Sequence, residues 1–153
     1  MKKFQFPLRS VATVRSIREL RAREQFSYAL HAFVKAEEYL QMLQARLAEL
    51  AQILSTGRTR TFRAGDEASF LEAYKTETIT VAKASAELEK ARTAVEAARQ
   101  AWLATRRDLR VVESLEQKAR ALHRHEAERE DQAALDDRSS ALAARAATAN
   151  HGL

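Results

Sequence analysis

The chain of 153 residues contains no cysteine, one proline and three glycines. Without cysteine there is no disulfide framework and no thiol nucleophile, which fits a reducing compartment. The three glycines stand far apart, so no glycine-rich loop can bring backbone N–H groups onto a phosphate, and ATP binding through such a loop is excluded. The small number of proline and glycine residues, which interrupt helices, and the 31% of charged residues favour an elongated helical protein over a compact globule with many turns.

Long hydrophobic runs are also missing. No window approaches 18 uncharged apolar residues, and no apolar segment of secretory length separates Lys2 and Lys3 from Arg9. A Gly-x-Ser-x-Gly nucleophile motif is absent as well, and we expect neither a catalytic site nor a cofactor. These features predict a soluble cytoplasmic protein without enzymatic activity.

The net charge of +5 is concentrated at the N-terminus. Residues 1–23 carry seven Lys or Arg against the single acid Glu19, whereas residues 112–147 carry six Lys or Arg against eight Asp or Glu. A basic end on a polar helical protein favours an acidic partner surface.

The strongest pattern runs from Phe70 to Val112. Apolar residues recur in steps of three and four, a spacing that places them on one stripe of a helix, the seam of a coiled coil. Eleven of its thirteen positions are apolar, and the series is Phe70, Tyr74, Glu77, Val81, Ala84, Leu88, Ala91, Val95, Ala98, Trp102, Thr105, Leu109 and Val112. Such a narrow stripe needs a second helix along it.

A second seam supplies that helix. It runs from Phe26 to Leu54 in the same steps, within a segment, Leu8–Leu54, that has neither glycine nor proline. Residues 55–66 contain Gly57, suited to end a helix, and Asp66, suited to cap the next one. We therefore predict one all-α domain over residues 1–153, a long antiparallel two-helix coiled-coil hairpin with helices at 8–54 and 67–147 and a loop at 55–66.

The register follows from matching large residues with small ones across the seam. If facing residue numbers sum to 124, Leu40 faces Ala84, Leu88 faces Ala36, and Trp102 faces Ala22. Pro7 then lies opposite Gln117, so the C-terminal helix overhangs the first helix over residues 118–147. A mostly polar, unpaired helix is either frayed or held by another protein.

Individual candidates for chemistry are weak. His123, His125 and Glu126 resemble metal ligands, but two histidines two residues apart diverge on a helix, and we predict no metal site. Trp102 is expected in the core rather than as a partner contact. Phe70 and Tyr74 are core residues unless the tip splays, in which case they are exposed anchors.

Three motifs resemble the flagellar export protein FliJ family and, more distantly, the YscO-like stalk proteins of injectisome secretion systems. They are MKKFQFPLRSVATVRSIRELRAREQ at 1–25, WLATRRDLRVVESLEQK at 102–118, and EREDQAALDDR at 128–138. Their order and spacing cover nearly the whole chain. The sequence departs from the family pattern at residues 137–139, where Glu-x-Ala is expected, and in a tip with few aromatic residues.

The resemblance implies a non-enzymatic central stalk of flagellar type III protein export. Such a stalk inserts in the hexameric export ATPase (FliI-like), stimulates it, reaches the export gate protein (FlhA-like) and is linked to export chaperones, at the cytoplasmic face of the inner membrane at the flagellar base. Carried over by position, the ATPase-facing residues are Arg9, Arg15, Arg18, Arg21, Gln132, Leu135, Asp136 and Asp137. The residues facing the export gate are Phe70 and Tyr74.

Other interpretations remain open from the sequence alone. A generic coiled-coil scaffold would be a dimer whose seams pair between chains, whereas the stalk is expected to be a monomer. A nucleic-acid-binding coiled coil would use Arg15, Arg18 and Arg21, but no aromatic residues are interleaved with them, and we expect a protein partner instead. Whether the system is flagellar or injectisome is not decided by the residues.

Overall fold

A computed structural model describes residues 3–59 and 62–150 of the chain. They form two helices, α1 (Arg9–Thr59) and α2 (Ala64–Asn150), which pack against each other as an antiparallel hairpin. No strand occurs among the described residues. The predicted all-α hairpin is therefore confirmed, although the helix ends differ from those expected.

Helix α1 begins just after the proline. Pro7 and Leu8 form a turn, in which the Arg9 N–H donates to the Phe6 carbonyl at 3.2 Å. The Ala12 N–H then donates to the Leu8 carbonyl at 2.9 Å. Because proline has no N–H to lose and its φ is already close to helical, it favours the start of the helix here.

The predicted loop at 55–66 is too long. Helix α1 continues to Thr59 rather than ending at Leu54, and α2 begins at Ala64 rather than Glu67. Gly57 and Gly65 therefore lie inside helices, and neither has a positive φ. Residues 60 and 61 lie outside the described residues.

Close packing explains Gly57 better than helix termination does. The Phe62 ring lies where a Cβ on residue 57 would be, and the same ring contacts Phe70, with their centroids 5.8 Å apart. Gly65 has no neighbour within 4 Å of its Cβ position. Of the two glycines, only Gly57 occupies a position at which a side chain would clash with a neighbour.

Asp66 is not the predicted N-cap, because it lies within the first turn of α2. Its N–H and that of Glu67 both donate to the Arg63 carbonyl, at 3.0 and 3.2 Å. The two carboxylates still favour the helix, since negative charge in the first turn offsets the positive end of the helix dipole.

The chain divides into two compact units that share both helices. The first, the terminal unit, comprises the chain up to Ser16 and from Arg107 onward; the second, the loop unit, comprises Ile17–Arg106.

The core of the loop unit follows the predicted register. Leu40, Leu43, Ala84 and Leu88 form one buried cluster, against which Phe33, Ala36 and Val81 pack. This membership agrees with the predicted register, in which facing residue numbers sum to 124, because Leu40 and Ala84 belong to the cluster together, as do Ala36 and Leu88. Large side chains therefore interdigitate with small ones, and Leu43 is only 2% exposed.

Trp102 lies in the seam of the same unit, as predicted for a core residue. Its ring stacks on Phe26 with centroids 5.5 Å apart and planes 13° apart. Its Nε1–H donates to Glu19 Oε1 at 2.8 Å, which satisfies the indole donor in a half-buried position. Trp102 therefore does not pack against small side chains alone. Its indole extends from the level of Ala22 onto the ring of Phe26.

Within the terminal unit α1 and α2 also pack along a seam, in which Val112 is 2% exposed. The Arg15 guanidinium Nη1 donates across the seam to the Asp108 carbonyl at 2.8 Å. Phe4, before the helix begins, packs on α2: its ring lies 5.0 Å from the Arg120 guanidinium carbon and 5.5 Å from the His123 ring centroid. The segment before α1 therefore extends the pairing.

The overhang is consequently shorter than predicted. Residues 118–127 are paired rather than free, because Phe4 covers this stretch and Ala127 is only 9% exposed. Every residue from Glu128 to Ala149 is exposed. The unpaired helix, which we call the exposed segment, is therefore 128–149 and not 118–147.

The two helical glycines provide a matched test. Gly65→Ala should raise the free energy of unfolding by up to about 1 kcal/mol, because alanine favours a helix and its methyl group meets nothing. Gly57→Ala should give a smaller increase in the free energy of unfolding, or should lower it, because the new methyl group displaces the Phe62 ring. Urea unfolding measures both, and equal stabilisation by the two variants would contradict the Phe62 packing.

Candidate partner-binding surfaces

The exposed segment is the first candidate surface. Leu135 is 58% exposed and Leu142 lies seven residues further on, so the two leucines share one side of the helix. Among the predicted ATPase-facing residues, Gln132 Nε2 donates to Asp136 Oδ1 at 3.2 Å, and the Ser139 hydroxyl donates to the Asp136 carbonyl at 2.9 Å. Asp137 is exposed. An acidic, partly apolar helix is therefore presented to solvent.

The predicted arginines have different surroundings. Arg9 is exposed at the first position of α1, whereas half-buried Arg15 is held by the Asp108 carbonyl across the seam. Arg18 and Arg21 are exposed and belong to the loop unit. Arg15 therefore has mainly a structural role. Its position among the other arginines in the sequence gave no sign of this role.

The structure does not gather the basic and acidic residues at one place. No hydrogen bond or ion pair found in the described ranges joins Arg9 or Arg15 to Gln132, Leu135, Asp136 or Asp137. Phe4 already lies level with residues 120–123, so the acidic group follows beyond the paired part of the terminal unit. The assignment of both groups to an ATPase stays a prediction.

Phe70 and Tyr74, the residues predicted to face the export gate, are half-buried. The Phe70 ring contacts Phe62, and the Tyr74 carbonyl accepts the Thr78 hydroxyl at 2.8 Å. These aromatic residues are therefore seam residues with part of each side chain accessible, rather than splayed anchors.

A groove beside them contains the carboxylate of Glu77, for which the sequence alone predicts no role. Glu77 occupies a seam position, and its side chain is only 15% exposed. Its Oε1 atom is buried without a hydrogen bond and lies 3.8 Å from the Arg46 Nε. Leu50, Ile53 and Ala73 also line this groove of about 710 Å³. The signal in the sequence was a charged residue at position 77 of a series in which eleven of thirteen positions are apolar.

Among the described residues, no group of three or more His, Asp or Glu side chains is arranged to hold a metal ion. His123 instead packs edge-on against Phe4, in a small cavity also lined by Arg120 and Arg124. Within the same residues, neither helix contains a stretch apolar enough to cross a membrane.

Two long helices packed against each other, with an exposed helical segment at the C-terminal end of α2, define a coiled-coil-like helical hairpin. The family described as flagellar FliJ protein matches residues 4–148 of the chain, which therefore belongs to it. This is a family of non-enzymatic flagellar export components, so the chain has a role related to flagellar protein export. No curated protein and no solved structure gives a significant match.

The half-buried Glu77 allows a direct test. Glu77→Leu should raise the free energy of unfolding by about 1 kcal/mol, because it removes a poorly satisfied carboxylate from the seam. Arg46→Ala should lower it by up to about 1 kcal/mol, because Glu77 then loses its neighbouring positive charge. Urea unfolding at neutral pH measures both. A Glu77→Leu protein less stable than the parent would show that the carboxylate has a partner in solution.

Proposed function

We propose that this chain is the central stalk of the flagellar export apparatus. The terminal unit inserts in a hexameric export ATPase and stimulates it, and the end near the turn between α1 and α2 engages the export gate. The observation that carries the proposal is the exposed segment 128–149, a helix with every residue exposed in a family devoted to export.

The physical reason concerns the stability of an isolated helix. A largely polar helix gains little from its own hydrogen bonds in water and becomes stable when a partner covers one face. Leu135 and Leu142 supply an apolar side, and the acids among residues 128–137 supply charge. A ring that surrounds this segment would contact both kinds of side chain.

Contacts with the export gate are assigned to the groove near the turn. Phe70 and Tyr74 each retain part of their surface, and the neighbouring groove combines Leu50 and Ile53 with the carboxylate of Glu77. The proposed gate partner therefore meets apolar and acidic groups together. Export chaperones are further proposed partners, without a surface assigned to them.

The remaining parts of the proposal concern state and place. The protein acts as a monomer in the cytoplasm, peripheral to the inner membrane at the flagellar base. It performs no catalysis and binds no nucleic acid. Support for the monomer comes from the seams, which are already satisfied within one chain by clusters such as that around Leu43.

Deletion of residues 128–153 tests the ATPase contact. Because the exposed segment packs against no other described residues, the truncated protein should keep its thermal unfolding transition. Stimulation of the export ATPase should fall to the rate of the ATPase alone, measured as phosphate release. Stimulation equal to that of the full chain would contradict the proposal.

Paired point variants separate side-chain contacts from helix length. Leu135→Ser with Leu142→Ser removes the apolar side of the segment and should weaken stimulation at least tenfold, by analogy with buried contact residues. Ala134→Ser with Ala141→Ser places the same change on the adjacent side and should leave stimulation nearly intact. Equal effects of both pairs would show that the leucines are not the contact.

A further inference from the structure

The charge of α2 changes sign twice around the exposed segment. Residues 118–127 carry three Lys or Arg against one acid, residues 128–137 carry one base against five acids, and residues 138–149 carry two arginines and no acid. We call residues 128–137 the acidic band. Its five acids are Glu128, Glu130, Asp131, Asp136 and Asp137.

These acids lie on all sides of the helix. At about 100° per residue, and with Glu128 placed at zero, the other four lie at about 80°, 180°, 200° and 300°. All five side chains are exposed, as is every residue of the exposed segment. The acidic band therefore presents negative charge in every direction, whereas Leu135 and Leu142 share one side.

The acidic band lacks the bases that accompany acids elsewhere in α2. Three acids between residues 87 and 96 each form an ion pair with the base three residues further on, at N–O distances of 2.9, 3.2 and 3.8 Å. Among the described residues, no ion pair includes an acid of the acidic band. Only Glu128 has a Lys or Arg three or four residues away, Arg124.

This arrangement is unfavourable for a helix without a partner. Glu128 and Asp131 are three residues apart, and like charges at this spacing destabilise a helix. Bases supplied from outside the chain would remove the repulsion and replace the missing ion pairs. The acidic band therefore fits a basic partner surface, and an acidic one would be repelled.

The basic stretches before and after the acidic band define its position along such a surface. The band is about 15 Å long, since a helix rises about 1.5 Å per residue. A shift by about ten residues would bring 118–127 or 138–149 against the partner's bases instead. Both stretches have a positive net charge, so repulsion opposes the shift in either direction.

We propose that the acidic band binds a ring of Lys and Arg side chains that surrounds the helix, which we call the basic collar, and that this contact sets how deeply the exposed segment enters its partner. The inference rests on the proposed function, because the hexameric ATPase is the partner that supplies the basic collar. A surface on one side of the helix would leave some of the five carboxylates in water, whereas a surrounding ring reaches all of them.

Neutralising three acids tests the basic collar. Glu130→Gln, Asp131→Asn and Asp137→Asn keep the size of each side chain and leave Asp136, which accepts a hydrogen bond from Gln132, unchanged. The chain concentration that gives half-maximal stimulation of the export ATPase, measured as phosphate release, should rise at least tenfold at low salt. Added salt should weaken stimulation by the parent more than by the variant, because salt screens exposed charges.

A matched control removes the same number of charges from the loop unit. Glu87→Gln, Glu89→Gln and Glu96→Gln should leave the half-maximal concentration within about twofold of the parent value, because exposed ion pairs contribute little to stability. Circular dichroism should give the helicity of the parent for both triple variants. If both weaken stimulation alike, the net charge of the chain is responsible and the proposal is overturned.

Two double variants distinguish a collar from a one-sided surface. Glu128→Gln with Asp136→Asn neutralises one side of the helix, and Glu130→Gln with Asp137→Asn neutralises the side roughly opposite. Each pair should raise the half-maximal concentration several-fold, by similar factors. An effect from only one pair would show that the partner contacts one side, and the basic collar would be wrong.

Deletion of residues 128–153 separates this inference from the proposed function. If the deletion abolishes stimulation but the Glu130→Gln, Asp131→Asn, Asp137→Asn variant stimulates like the parent at low and high salt, the ATPase contact stands and the basic collar is overturned. If the deleted chain still stimulates fully, the ATPase contact itself is wrong, and the inference that rests on it is wrong as well.

Discussion

Burial of a narrow seam between α1 and α2, within each of the two units, is the constraint on which the rest of this structure depends. Leu43 in the loop unit and Val112 in the terminal unit are each only 2% exposed. Most other side chains have one side in water, because two helices cannot enclose a thick core. The stability of the hairpin must therefore come from regular packing along the seam, and the remaining faces of both helices are exposed to solvent.

Polar groups within the seam distinguish some of its packing layers from the purely apolar ones. Trp102 adds a hydrogen bond to Glu19 and a stack on Phe26, whereas Glu77 places a carboxylate oxygen without a hydrogen bond beside Arg46. Arg15 links the helices through the Asp108 carbonyl. A purely apolar repeat tolerates slipping by a heptad, whereas polar contacts of this kind favour one register. The function proposed for a stalk requires such a fixed alignment.

The sequence was sufficient to predict the helices, their antiparallel pairing and the register around Leu40 and Ala84, because a repeat of three and four residues determines which side of each helix is buried. The ends were less predictable. Gly57 was interpreted as a helix terminator, although it is inside α1 and accommodates Phe62. That contact joins residues across the turn, and no local pattern encodes it.

The length of the exposed segment was overestimated for a similar reason. Phe4 precedes α1, so a register counted from helical residues could not include its contacts with Arg120 and His123. The structural role of Arg15 also depends on the two helices together. It does not follow from the periodicity of one helix, since it requires knowing which residues of the partner helix lie beside it.

Disulfide trapping tests the central claim, that one molecule folds back on itself in this register, most directly. The chain has no cysteine of its own, so Leu40→Cys with Ala84→Cys introduces a single pair within the buried cluster. Oxidation should yield a cross-linked monomer on a non-reducing gel, and Leu40→Cys with Ala91→Cys, one heptad away, should cross-link poorly. A cross-linked dimer from the first pair, or preferential cross-linking of the second, would contradict the hairpin.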